Sequence, residues 1–328
     1  MIDQRLRPST ISSFVKSTRV AAIVGCAVAL ICTCGALPIA AQSTVTLRVG
    51  AAPLDSNGPL YYAQDLGYFK DAGITIDFAT GLNNAAAALA ALSGGALELS
   101  AASLTSIAAG HDAGLRFKLV AASQMSDDGA PSELLMVRKD APYKVAADLN
   151  GKTIGIIGIK SLMQVAAMSW AERHNGDATS LKFVETPVPL MCAQLEGGRV
   201  DAVIMVEPFA TSCANARPLG NVEDGIAPRF LTTGFVGNSD WLSSHRDVAV
   251  RFAAAIAKAA AWGNAHPLES AAILVKYSHL DPAVAANMKR ARYATELVPA
   301  LVQPVIEASV RYGSIPRSFP AADIIWAR

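Results

Sequence analysis

The chain of 328 residues is 52% hydrophobic, with 28 Lys and Arg against 27 Asp and Glu. That length supports one large domain or two modest ones, each with its own core. Near-balanced charge, with no basic cluster that recurs, excludes the electrostatic footprint of a nucleic-acid-binding protein.

Arg5, Arg7, Lys16 and Arg19 precede an uncharged apolar run from Val20 to Ala41, broken late by Gly35 and Pro38. A basic flank, an apolar middle and a small-residue exit follow the order of a secretory signal, and Ile39-Ala40-Ala41-Gln42 places cleavage after Ala40 or Ala41. The run is long enough to span a bilayer, yet Gly35 and Pro38 at its outer end fit a cleavage region better than an anchor. Ile23-Val24-Gly25-Cys26 imitates a lipoprotein site, but too little apolar sequence precedes it. The expectation is an exported chain with a signal at 1–41. Cys192 and Cys213 then remain; export permits a disulfide between them, and spacing alone does not bring their Cα atoms together.

After the signal, short apolar runs alternate with helix-like stretches. Residues 47–50 read as a strand, 60–71 as a helix closed by Gly73, and 74–78 as a half-buried strand. Asn83 and Asn84 open an alanine-rich helix that stops at Gly94-Gly95; a strand at 97–101, a helix at 104–109 and a strand at 117–122 follow. Residues 123–130 break the rhythm with Asp127, Asp128 and Gly129, and 134–137 reads as a strand crossing to a second half. There the alternation resumes: strand 153–157, helix 162–174, strand 181–184, helix 190–196, and a run at 200–206 apolar enough to be buried on both faces. Residues 230–236 return as a strand, and helices at 246–263, 267–277, 282–292 and 298–312 complete the chain around the first half.

The fold class this implies is α/β with parallel strands covered by helices on both faces. Residues 42–137 begin one lobe, 138–232 form a second, and 233–328 return to the first, with crossovers near 134–140 and 230–237. A ligand is expected in the cleft where strand ends and helix N-termini converge.

Catalytic signals are scarce. Gly151-Lys152-Thr153 imitates the end of a phosphate-binding loop, but residue 146, where that loop needs glycine, is Ala. His111, His174, His245, His266 and His279 lack the short spacings that put two metal ligands on one helix face, so each reads as a surface or cap residue. Gly237-Asn238-Ser239-Asp240-Trp241 lacks the second glycine of a nucleophile elbow. No cofactor and no metal are expected, and no residue set argues for an enzyme.

Several stretches in this order carry a family resemblance: Gly58-Pro59-Leu60-Tyr61-Tyr62-Ala63 through Leu66-Gly67-Tyr68-Phe69; Leu92-Ser93-Gly94-Gly95; Ala147-Asp148-Leu149-Asn150-Gly151-Lys152-Thr153; Gly198-Arg199-Val200-Asp201-Ala202 leading to Glu207-Pro208-Phe209; and Ala261-Trp262 to His266-Pro267. Over residues 46–290 the chain resembles the periplasmic substrate-binding proteins of the nitrate/sulfonate/taurine and thiamine-precursor transporters. The resemblance implies a two-lobed type II periplasmic-binding fold and a periplasmic receptor, working as a monomer, that passes a small-molecule ligand to the membrane permease of an ABC importer. Val206 departs from the family, which often carries an aromatic residue directly before the acid-Pro-aromatic motif. Related fungal enzymes make the thiamine pyrimidine on this fold, but they carry a Cys-Cys-Cys-Phe-Cys loop, absent here. A ligand sensor docking on a signalling receptor is a third reading.

Candidate ligand contacts lie in loops after strands: Asn57 and Gly58; Gly81, Asn83 and Asn84; Ser103 and Thr105; Lys160 and Ser161; Glu207 and Phe209. Asn83, Ser103 and Ser161 also read as plain helix caps, Lys160 as a solvated loop residue, and Glu207 as a structural hydrogen-bond acceptor. Polar amides with a single lysine suit a small anion or a polar aromatic acid. Nitrate, sulfonates, aromatic carboxylates and pyrimidine precursors all remain open.

Overall fold

In the first strand, β1 (Val45–Gly50), Leu47 and Val49 are buried while Thr46 and Arg48 point outward, and β2 (Ile74–Ala79) repeats the alternation with Ile74 and Ile76. This period of two sets one face of each strand against a core. The protein is seen in a computed structural model that describes residues 44–79, 85–127 and 132–327; the expected signal, with Gly81, Asn83 and Asn84, lies outside the described residues.

Between β1 and β2 the expected helix at 60–71 is two helices, α1 (Gly58–Asp65) and α2 (Tyr68–Asp71), divided at Leu66-Gly67. Then come α3 (Ala85–Ser93), β3 (Leu99–Ser103), α4 (Leu104–Asp112), β4 (Phe117–Ala122) and β5 (Gln124–Asp127). The second lobe holds β6 (Leu134–Arg138), β7 (Thr153–Ile156), α5 (Leu162–Arg173), β8 (Lys182–Glu185), α6 (Val188–Glu196), β9 (Ala202–Met205), α7 (Phe209–Ser212) and β10 (Ala216–Asn221). The chain returns through the 3-10 helix Val222–Gly225, β11 (Arg229–Leu231) and β12 (Thr233–Asn238). It ends with α8 (Ser239–Ser244), α9 (Arg246–Ala265), α10 (Pro267–Ser278), α11 (Pro282–Asn287), β13 (Arg292–Tyr293) and α12 (Pro299–Arg311).

Two five-stranded sheets result, with orders β2-β1-β3-β12-β4 and β10-β6-β9-β7-β8. In the first, β1 runs parallel to β2 and β3, and β12 enters antiparallel between β3 and β4. In the second, β7 is parallel to β8 and β9, whereas β6 is antiparallel to β9 and β10. The strand expected to cross between lobes near 134–140 is therefore β6, inside the second sheet and bonded on both sides. Its Leu135-Met136-Val137 core is buried on both faces, an environment that only a sheet interior supplies. The links are the more polar β5 and β11, antiparallel to each other, with β13 added to β5.

Each sheet carries its own core. In the second lobe Leu135, Val137, Ile154, Ile156, Met191 and β9 are fully buried together. In the first, Leu47, Val49, Tyr62, Phe69, Phe235 and Phe252 form one cluster, and Leu104, Ile107, Leu119, Phe230, Val302 and Val305 another. Accordingly α9 packs on α1 and β4, and α12 on α4 and β11. Cys192 and Cys213 form a disulfide with Cα atoms 5.7 Å apart at a sequence separation of 21. A closed loop of that length stabilises by about 3 kcal/mol through restriction of the unfolded chain.

Candidate functional site

The loop from β1 to α1 is held from beneath. Tyr61 donates to the Ala51 carbonyl at 2.9 Å, the Asn57 amide donates to Ala52 O at 2.9 Å, and the Ser123 hydroxyl donates to Ser56 O at 2.7 Å. Asp55, buried, anchors the loop more strongly. It accepts from Arg290 Nη2 at 2.6 Å, from Tyr293 OH at 2.7 Å and from the Ala291 N–H at 2.8 Å. Arg290 also donates to Pro267 O at 2.6 Å and to Tyr62 OH at 2.7 Å. Burial opposes the Arg290 charge, but the hydrogen bond and charge of Asp55 outweigh it and hold the guanidinium above its ordinary value. Burial first, and the Asp55 carboxylate second, push the Tyr62 and Tyr293 phenols up. This network ties the loop to the α10–β13 region, and sequence reasoning missed it: nothing local in Leu54-Asp55-Ser56 signals a partner 235 positions away.

With the loop fixed, Asn57 is 5% exposed, and its Oδ1 is a buried acceptor with no partner. The bond from Nδ2 to Ala52 sets which way the amide points. Gly58 is spoken for: a Cβ there would lie 2.5 Å from the hydroxyls of Tyr62 and Tyr293, so glycine is required by packing. Ser103 caps α4 by accepting the Ser106 N–H, and its hydroxyl meets that of buried Thr105 at 3.1 Å.

In the second lobe Ser161 occupies the N-cap position of α5 without capping it. Gln164 reaches back to accept the Lys160 N–H at 2.6 Å, and the Ser161 Oγ is buried and unpartnered. Lys160 holds a left-handed backbone with φ of 63° and is exposed. The Glu185 carboxylate accepts the Ile159 N–H at 2.9 Å, and Ile157 and Ile159 stand about half exposed beside it. Glu207, joined to Pro208 by a cis peptide bond, folds back on α7. It accepts from Thr211 N at 3.1 Å and Thr211 Oγ1 at 2.9 Å, and its Oε1 faces the Lys289 N–H at 3.4 Å. Phe209, half-buried, begins α7.

These contacts bring parts of the two lobes together. Leu162, next to Ser161, belongs to the same buried cluster as Ala102 and Leu104, which flank Ser103. Glu207 meets Lys289, whose neighbour Arg290 grips Asp55, two residues before Asn57. Glu172 of α5 binds Arg311 and Tyr312 beyond the lobe boundary. Among the described residues the one cluster of potential metal donors is Cys192, Glu196 and Cys213, and its two sulfurs are already bonded to each other. No helix among the described residues is long and apolar enough to cross a membrane.

The family model described as NMT1/THI5 like matches residues 56–270. The aliphatic sulphonate-binding protein SsuA from Escherichia coli is similar in structure, with a TM-score of 0.71 at 17% identity over 86% of this chain and 92% of its own. The alkanesulfonate-binding protein from Xanthomonas axonopodis pv. citri, bound to MOPS, gives 0.70 at 18% identity over 87% and 99%. A desulfurization enzyme, DszB, shares the architecture with a TM-score of 0.64 at 14% identity over 85% and 96%. No curated protein sequence matches the chain. The two sheets with their paired links are those of a two-lobed periplasmic-binding-protein fold, and with its model spanning most of the described chain, this protein belongs to the NMT1/THI5-like family.

Proposed function

We propose that this protein is an extracytoplasmic receptor that holds a small polar or anionic solute between its lobes and delivers it to the permease of an ABC importer. One observation carries the reading: Asn57 Oδ1 and Ser161 Oγ, buried and without partners, stand at the starts of α1 and α5, one on each lobe. A buried polar atom without a partner costs on the order of 1–3 kcal/mol, and a bound ligand would relieve both. The first-turn N–H groups of α5, with no side chain capping them, and the exposed Lys160 supply positive potential beside Ser161. Ile157 and Ile159 add apolar surface, which suits an organic acid better than a bare inorganic anion. In this reading Glu207 is a structural bridge, and β5 and β11 form the hinge.

A thermal-shift screen with alkanesulfonates, aromatic carboxylates, nitrate and pyrimidine precursors tests this. A ligand at 100 times its dissociation constant adds roughly 2.7 kcal/mol, a readily measured rise in Tm. A flat response across all four classes would contradict the proposal. Because DszB shares the fold, the solute should also be recovered unchanged after incubation.

A further inference from the structure

Two acidic side chains meet where the lobe-linking segments converge. Glu223, fully buried, sits in the 3-10 helix Val222–Gly225 just ahead of β11. Its carboxylate accepts the Ser132 N–H at 2.9 Å and the Ser132 hydroxyl, with further hydrogen bonds from the Ser126 side chain of β5 and the Glu133 N–H. The returning segment is thus clamped by the outgoing one. Glu133, the residue before β6, is 8% exposed, and its Oε2 has no partner. Two residues after Glu223, α5 presses so closely that a Cβ on Gly225 would lie 2.4 Å from Trp170 N.

Among the described residues no cation pairs with either carboxylate: Arg173 on α5, which packs against this 3-10 helix, donates to the Asp224 carbonyl at 2.9 Å. Asp127 at the end of β5 is engaged by Arg292, Asp224 by His174, and Glu172 on α5 by Arg311 and Tyr312, while Arg229 on β11 is exposed. Two adjacent carboxylates cannot both ionise in a buried site without such a partner. Burial raises Glu223 too, but its donors from Ser132, Ser126 and the Glu133 N–H offset part of that, whereas Glu133 Oε2 has no partner. Burial first, and the Glu223 charge second, push the Glu133 carboxyl well above its ordinary range.

We infer that Glu133 and Glu223 form a one-proton site at the junction of the two linking segments, with the proton on Glu133, and that its loss to solvent loosens the hinge. The hinge role rests on the reading of β5 and β11 given above; the proton site does not. The sign follows from linkage. Below the ordinary carboxylate range both folded and unfolded chains hold the proton, and the stability is fully present. As pH rises, the unfolded chain releases it first, so the folded state loses stability until Glu133 itself ionises.

Infrared difference spectra of wild type against Glu133→Gln test the proton directly. At neutral pH the wild type should show a protonated carboxylic acid band, shifted in heavy water and missing from the variant; no such band in the wild type would overturn the site, whatever the variant does. Thermal melts from pH 5 to 8 give the second readout. The Tm advantage of Glu133→Gln should widen by roughly 3 °C per pH unit, and a gap constant with pH would overturn the linkage. Hydrogen exchange then addresses the hinge: at matched high pH, peptides covering β5 and β11 should exchange faster in the wild type than in the variant. Equal exchange, with the infrared band present, would leave the proton site standing and remove its link to the hinge.

Discussion

Ser161 separates a ligand contact from a helix cap. Its hydroxyl makes no bond in the protein, although Ser161 holds the N-cap position of α5. Ser161→Ala should therefore leave the unliganded stability within about 0.5 kcal/mol, or raise it slightly. It should still weaken solute binding by ~0.5–1.5 kcal/mol, the range for a net hydrogen bond. Lys160→Met should weaken the binding of an anionic solute by ~1.5–3 kcal/mol with the fold intact. Melting curves and titrations on both variants check this; loss of unliganded stability in Ser161→Ala would return that hydroxyl to a structural role. That Asn57 and Ser161 open helices was legible in sequence, because each comes after an apolar strand and before a helical stretch. Gly58 was legible as a special position but for another reason, since its missing Cβ admits two tyrosine hydroxyls. Asp55, Glu133 and Glu223 were not legible, because each takes its meaning from burial and from partners remote in the chain.

At the scale of elements, the histidines show how a negative inference gains content. Expected at caps or on the surface, four of the five directly follow helices: His174 after α5, His245 after α8, His266 after α9 and His279 after α10. Three of these pack on a tryptophan one turn back: Trp170–His174 is tilted by 40° with ring centroids 5.2 Å apart, and Trp241–His245 and Trp262–His266 stack at 4.8 and 4.9 Å. In the last, the Trp262 carbonyl accepts the His266 backbone N–H at 3.0 Å, and His266 Nδ1 lies 2.8 Å from the same oxygen. His266→Ala should cost about 1 kcal/mol for that bond, measurable by urea unfolding; an unchanged midpoint would mean that solvent replaces it fully. Strand and helix types followed from apolar periodicity, and the errors lie at junctions. The helix read across 60–71 breaks at Gly67, which has φ of 76° and begins a new turn. The strand read across 230–236 is two strands, because β11 pairs with β5 while β12 enters the first sheet.

For the whole molecule, alternation of strands and helices revealed two α/β halves, but not which segments join them. Polar β5 looked like an interruption and apolar β6 like a bridge; packing assigns them the other way, since an apolar run needs a sheet on both sides and a link between lobes does not. Closure about β5 and β11 should reduce the radius of gyration when solute is bound, as seen by small-angle scattering. The receptor reading is tested most directly by an equilibrium titration of the solute that gives the largest thermal shift, followed by recovery of that solute. The account predicts saturation at one equivalent per chain, with the solute returned unchanged. Product accumulating in excess over protein would contradict it.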